Sequence, residues 1–91
     1  MRKKVIAGNW KMYKDVNESI EFVKELVLKQ NNIPDNTDVI ICVPFTSLFS
    51  VNQILKDSKI KLGAQNMFYE DQGAYTGEIS PLMLKSTGCK Y

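Results

Sequence analysis

An asparagine and a lysine stand two residues apart after a short apolar run, in Val5-Ile6-Ala7-Gly8-Asn9-Trp10-Lys11. If that run is a strand, carboxamide and ammonium both lie at its carboxyl end, where ligands gather in parallel α/β folds. Gln65-Asn66 brings two more carboxamides to the end of the apolar segment that starts at Ile60. Ammonium and amides together suit an anionic, oxygen-rich ligand such as a phosphorylated sugar, charge coming from the lysine and directed hydrogen bonds from the amides. The plainer reading makes Lys11 a surface lysine and Asn9 a turn former, and spacing alone does not separate the two. Histidine is absent, so no imidazole base, triad or histidine metal site comes from these residues. Glu70, Asp71 and Glu78 are the acids near the third strand end. No two have a spacing that argues for paired acid–base work, and they read as loop and cap residues. Cys42 and Cys89 stand far apart in no CxxC spacing and read as two reduced cytosolic thiols.

The elements that must position these groups alternate. The apolar run at 4–9 suits a strand buried on both faces. Asp15 and Glu18 have capping-box spacing, and Ile20, Val23, Leu26 and Val27 then recur at helical period over 16–30. Pro34 stops that helix, since its ring cannot continue it. Residues 38–43 form a second apolar strand, closed by Pro44. Thr46 or Ser47 caps a helix over 47–57 with Leu48, Val51 and Leu55 inward. A third strand at 60–65 and a third helix at 80–87, with Pro81 at its first position, complete the series. Cys89-Lys90-Tyr91 reads as a fourth strand beginning. This is a βαβ series with a parallel sheet.

The charge balance is 12 basic against 10 acidic residues in 91, a net +2, and 44% of residues are hydrophobic. That composition is ordinary for a soluble globular domain. It makes no case for nucleic acid or a membrane surface, and no apolar run nears the roughly 20 residues of a membrane span. Such a length supports one core. A three-stranded parallel sheet with helices mainly on one side leaves an apolar face open, so the expected whole is larger than these residues. The segment 67–78 is long for a βα connection, which usually takes about 2–6 residues. It carries Met67, Phe68, Tyr69 and Tyr75, with Gly73 and Gly77 to turn it. A protruding arm that docks on a partner is the expected reading; a loop folded over its own core is the alternative.

Three motifs together resemble the triosephosphate isomerase family: Gly8-Asn9-Trp10-Lys11-Met12, Gly63-Ala64-Gln65-Asn66, and Gly73-Ala74-Tyr75-Thr76-Gly77-Glu78-Ile79-Ser80. The resemblance covers the whole chain, in order. It implies the N-terminal βαβαβα part of an eight-stranded (β/α)8 barrel of about 250 residues, cut at the start of strand four. It further implies a cytoplasmic, homodimeric enzyme of glycolysis and gluconeogenesis, without cofactor or metal, that interconverts dihydroxyacetone phosphate and glyceraldehyde 3-phosphate. By the same resemblance Asn9 and Lys11 bind substrate, and Lys11 stabilises developing negative charge. Met12, Gln65, Tyr75, Thr76 and Glu78 belong to the dimer interface, Thr76 entering the neighbouring subunit near Asn9. The family's histidine and glutamate lie beyond Tyr91, which implies that the 91 residues alone are inactive. Tyr13 stands where smaller polar residues are common in the family.

Two other classes compete. A phosphoacceptor receiver domain needs acids at the strand ends, where this chain has Asn9, Pro44 and Gln65. A short assembly module would use 67–78 to bind full-length subunits and perform no chemistry.

Overall fold

A computed structural model describes residues 2–91. Strand β1 (Lys4–Asn9), helix α1 (Val16–Leu28), strand β2 (Thr37–Cys42), helix α2 (Leu48–Leu55), strand β3 (Ile60–Gly63) and helix α3 (Pro81–Ser86) follow in order. The strands form one parallel sheet in the order β1-β2-β3. Each strand–helix–strand passage returns the chain to the same end of the sheet, so the segments after β1, β2 and β3 all emerge together.

Local chemistry explains where the helices start. At α1 the Asp15 carboxylate accepts from the Glu18 amide at 2.9 Å while the Glu18 carboxylate accepts from the Asp15 amide at 3.1 Å. Each satisfies an amide that a helix terminus leaves free. Ser80 caps α3 by accepting from the Met83 amide at 3.1 Å, with Pro81 at the first turn. The cap expected from Thr46 or Ser47 on α2 is not made. Ser47 stands at the cap position, but a 3₁₀ turn over Phe45–Ser47 precedes α2 and the Ser47 hydroxyl turns inward. It lies 3.0 Å from the equally buried Ser19 hydroxyl, which donates to the Asp15 carbonyl at 2.7 Å. Burial of two hydroxyls is tolerated because each finds a partner.

One apolar cluster joins sheet and helices: Val23 of α1, Leu48, Val51 and Leu55 of α2, Leu84 of α3, and Ile41, Val43, Ile60 and Leu62. Burying such a side chain contributes about 1.5–3 kcal/mol. Alternation along the strands puts Ile40, Cys42, Lys61 and Gly63 on the other face of the sheet. The register aligns Asn9 with Cys42 and Cys42 with Gly63, so the three strand ends form a row.

Strand β1 departs from expectation. All six of its residues are exposed, Val5 and Ile6 by about 60%. Among the described residues it pairs with β2 alone and is an edge strand, and the apolar cluster lies over β2 and β3. Strand β3 ends at Gly63, two residues earlier than expected, which leaves Gln65 free to turn. Past α3, the Lys90 amide donates to Leu62 O at 2.9 Å and the Ala64 amide to Tyr91 O at 2.8 Å, continuing the ladder on the far edge of β3.

Candidate functional site

The loop after β1 is held from three directions. The Trp10 amide donates to Cys42 O at 3.1 Å, which stitches the loop root to β2. Asn9 turns its carboxamide back over the chain, and its Oδ1 accepts from the Lys11 amide at 2.9 Å. From β3, Gln65 reaches across: its Nε2 donates to Lys11 O at 3.0 Å and to Cys42 O at 2.9 Å. One primary amide thus spends both N–H groups on carbonyls of two neighbouring segments. Asn9, Lys11 and Gln65, the last two 54 residues apart, meet at one strand end.

These bonds hold an unusual backbone. Lys11 has φ of 56° and Lys14 of 72°, the left-handed region, which costs a residue with a Cβ about 1–2 kcal/mol. A bond to the Lys11 amide and another to its carbonyl bracket the first of these, each worth about 0.5–1.5 kcal/mol. Their sum is of the size needed to offset the strain. Backbone strain of this kind gathers at functional sites, where it aims a side chain.

The second left-handed residue, Lys14, went unnoticed in the sequence. Its Nζ sits 4.6 Å from the centroid of the Phe22 ring and 5.8 Å from that of Trp10, within cation–π reach. The two rings meet edge to face at 5.4 Å, so Trp10 serves packing. Lys14 has no signature in the sequence, because the ring nearest its ammonium, Phe22, reaches it only through the fold.

Lys11, Met12, Lys14, Pro44, Phe45 and Gln65 line an open depression of about 700 Å³ at this end of the sheet. Met12 is 95% exposed beside it. The ammonium of Lys11 makes no ion pair among the described residues. Asp15 also lines the depression, but its carboxylate accepts the Glu18 amide in the α1 cap, which leaves the Lys11 ammonium to meet an anion at the wide mouth. At 4 Å the attraction is about 1 kcal/mol in water and about 4 kcal/mol where the effective dielectric falls to 20, so the lysine gains strength when the mouth is covered.

Within this row, burial raises the pKa of the Cys42 thiol, and the neighbouring Cys89 thiol adds to the rise. Both thiols are free.

The segment 67–78 is built differently. Phe68 stacks against Tyr69 and Tyr75, each at 4.6 Å between centroids. The Phe68 amide donates to Ile79 O at 2.8 Å, closing the base, and the Glu78 amide to Tyr75 O at 3.0 Å. Tyr75, Thr76 and Glu78 are exposed at its surface. Among the described residues, no hydrogen bond joins this arm to Asn9 or Lys11. The structure therefore brings Asn9, Lys11, Met12 and Gln65 together and leaves Tyr75, Thr76 and Glu78 as a separate projection.

Comparison with known proteins bears on the family and the fold. The family model described as triosephosphate isomerase matches residues 4–91. Curated triosephosphate isomerases from Dictyoglomus thermophilum and Trichodesmium erythraeum are 54% and 53% identical over all 91 residues. The chain spans only 36% and 38% of those two relatives' lengths. A crystal structure of triosephosphate isomerase from Bartonella henselae superposes with a TM-score of 0.84 at 41% identity, covering 100% of this chain and 36% of that one. The parallel sheet with its alternating helices is the N-terminal βαβαβα part of that barrel fold. With its three motifs in order and its strand ends in register, the chain belongs to the triosephosphate isomerase family.

Proposed function

We propose that the complete protein carrying these residues interconverts dihydroxyacetone phosphate and D-glyceraldehyde 3-phosphate through an enediolate. The observation that carries this reading is the convergence of Asn9, a strained Lys11 and Gln65 on one strand end in a chain of this family. Lys11 supplies positive charge to the bound triose and to the oxyanion that develops on it. Asn9 holds the loop and offers its amide nitrogen to substrate oxygen. The proton is moved by a glutamate and the oxygens are polarised by a neutral histidine, an arrangement for which this family is itself the usual illustration. Neither group is among residues 1–91 by the family's pattern, so the stretch alone is inactive. General acid–base catalysis supplies about 10²–10⁴ in rate, and the stretch lacks it.

The enzyme works as a homodimer in which the 67–78 arm of one subunit enters the depression beside Met12 of the other, with Thr76 bracing the neighbouring site near Asn9. Exposed aromatics on the arm and an exposed methionine beside the depression support that pairing. The reaction belongs to glycolysis and gluconeogenesis in the cytoplasm and uses no cofactor. A coupled assay of the complete protein tests the reading. Turnover of glyceraldehyde 3-phosphate is expected, with a loss of about 10³-fold for Lys11→Met, the scale of a removed oxyanion partner, and an unchanged dimer. Native activity in that variant would refute the role of Lys11, and turnover by the 91-residue stretch would refute its inactivity.

A further inference from the structure

We infer that Lys14 is a positioning residue for Lys11, acting through a cation–π bracket with Trp10 and Phe22. The role given to Lys11 rests on the isomerase reading; the bracket itself does not.

Between the two left-handed residues stand Met12 and Tyr13, 95% and 71% exposed. Nothing at those two positions fixes the loop, so its course depends on its ends. One end is Trp10, whose amide is bonded to Cys42 O. The other is Lys14, next to the Asp15 cap of α1. The Lys14 ammonium lies over Phe22 of α1 at 4.6 Å and within 5.8 Å of Trp10. Since the two rings also touch, one aromatic pair and one cation close the loop on itself.

The residue type is what makes the bracket informative. A left-handed position is ordinarily filled by glycine or asparagine, and the lysine at 14 stands there against that backbone preference. Lys14 is half-buried and makes no ion pair among the described residues, so the ring faces take the part a carboxylate would otherwise play. If the ammonium leaves, residue 14 has reason to relax out of the left-handed region. Met12 and Tyr13 then swing with it. The Lys11 amide and carbonyl lose their alignment with Asn9 Oδ1 and Gln65 Nε2.

The test uses the complete protein with Lys14→Met, Lys14→Arg and Phe22→Leu. Lys14→Met keeps the apolar stem and removes the charge, and Lys14→Arg keeps the charge over the rings. Methionine at 14 and leucine at 22 are each expected to raise KM for glyceraldehyde 3-phosphate about tenfold, the scale of a partly desolvated cation–π contact, and arginine to restore it within about twofold. A merely destabilised enzyme would lose apparent kcat with its folded fraction and keep its KM. Backbone NMR reads the loop without activity: the Lys11 amide resonance should move in Lys14→Met and return in Lys14→Arg. A native KM in Lys14→Met, or a defect that arginine does not restore, overturns the inference. Should the unsubstituted protein fail to isomerise triose phosphates, the functional reading falls and the Lys11 resonance decides the bracket, an unmoved signal rejecting it.

Discussion

The loop after β1 and the arm after β3 leave the same end of the sheet and solve their backbone problems in opposite ways. The loop places lysines at two left-handed positions, φ 56° and 72°, and needs outside help to hold them. Asn9, Gln65 and the Trp10–Phe22 pair supply it. The arm uses glycines where φ is positive, 150° at Gly73 and 89° at Gly77, and packs its aromatics on one another. Strain that is paired with a functional side chain has to be held from outside; strain without one is relieved by removing the Cβ. That contrast fits the two roles proposed above, chemistry for the loop held by other strands and docking for the self-contained arm.

After the loss of Lys11 itself, the largest expected effect comes from releasing the loop. Gln65→Ala removes the donor that ties Lys11 O to Cys42 O and should cut kcat/KM about 10²-fold, the scale of an ångström's misplacement. Gln65→Glu, of the same shape without the Nε2 donor, should lose as much. A native Glu variant in steady-state kinetics would show that shape and not the donor matters, and the contrast between loop and arm would weaken.

The arm should respond on a different axis. A Cβ at Gly73 would run into the Tyr75 ring at a backbone angle that L-residues rarely adopt. Gly73→Ala should therefore spoil the Phe68–Tyr75 stack and weaken the proposed dimer about tenfold, given a strain of about 1–3 kcal/mol. Sedimentation equilibrium measures this, and kcat per intact dimer should hold. A fall in kcat with an unchanged dimer would place the arm in the chemistry and erase the distinction.

Much of this was legible before any coordinates. The capping box, Pro81 at the start of α3 and the inward row Leu48, Val51, Leu55 are local rules, in which residues within one or two turns of each other settle the outcome. The row of strand ends was legible because parallel connection brings Asn9 and Gln65 to one side. What stayed hidden is non-local. Ser47 gives up its cap because Ser19, 28 residues earlier, offers a partner inside. The exposure of β1 depends on what covers an edge, which no window of the strand contains. Lys14 depends on Phe22, which only the folded α1 brings to it, and on Trp10 packed against that ring.

The cap bears on the loop more gently. Asp15 ends the loop and begins α1, so Asp15→Ala removes an N-cap worth about 1 kcal/mol. In a barrel of about 250 residues that should lower Tm by about 2–4 °C. Calorimetry with kinetics separates the two consequences: a larger loss in KM than in Tm would mean that the cap also anchors Lys14.

Cys42 should give the smallest effect, and its sign follows from protons. Its carbonyl receives both Trp10 N–H and Gln65 Nε2–H, while burial, and then Cys89, raise its thiol above the ordinary 9.0. As pH climbs past 9.0 the unfolded chain gives up this proton before the folded one does. The unfolded state then binds fewer protons, so stability falls with rising pH from there through the raised value. Well below 9.0 the group contributes no slope. Cys42→Ser does not titrate in this range, so its denaturation midpoint should stay flatter between pH 8.5 and 10 than that of the unsubstituted protein, whatever its absolute level. Equal slopes in the two would assign the alkaline loss to other groups. A steeper slope read at the Lys11 amide than at Tyr75 would show that a thiolate at the end of β2 disturbs the region held from outside and spares the one that holds itself.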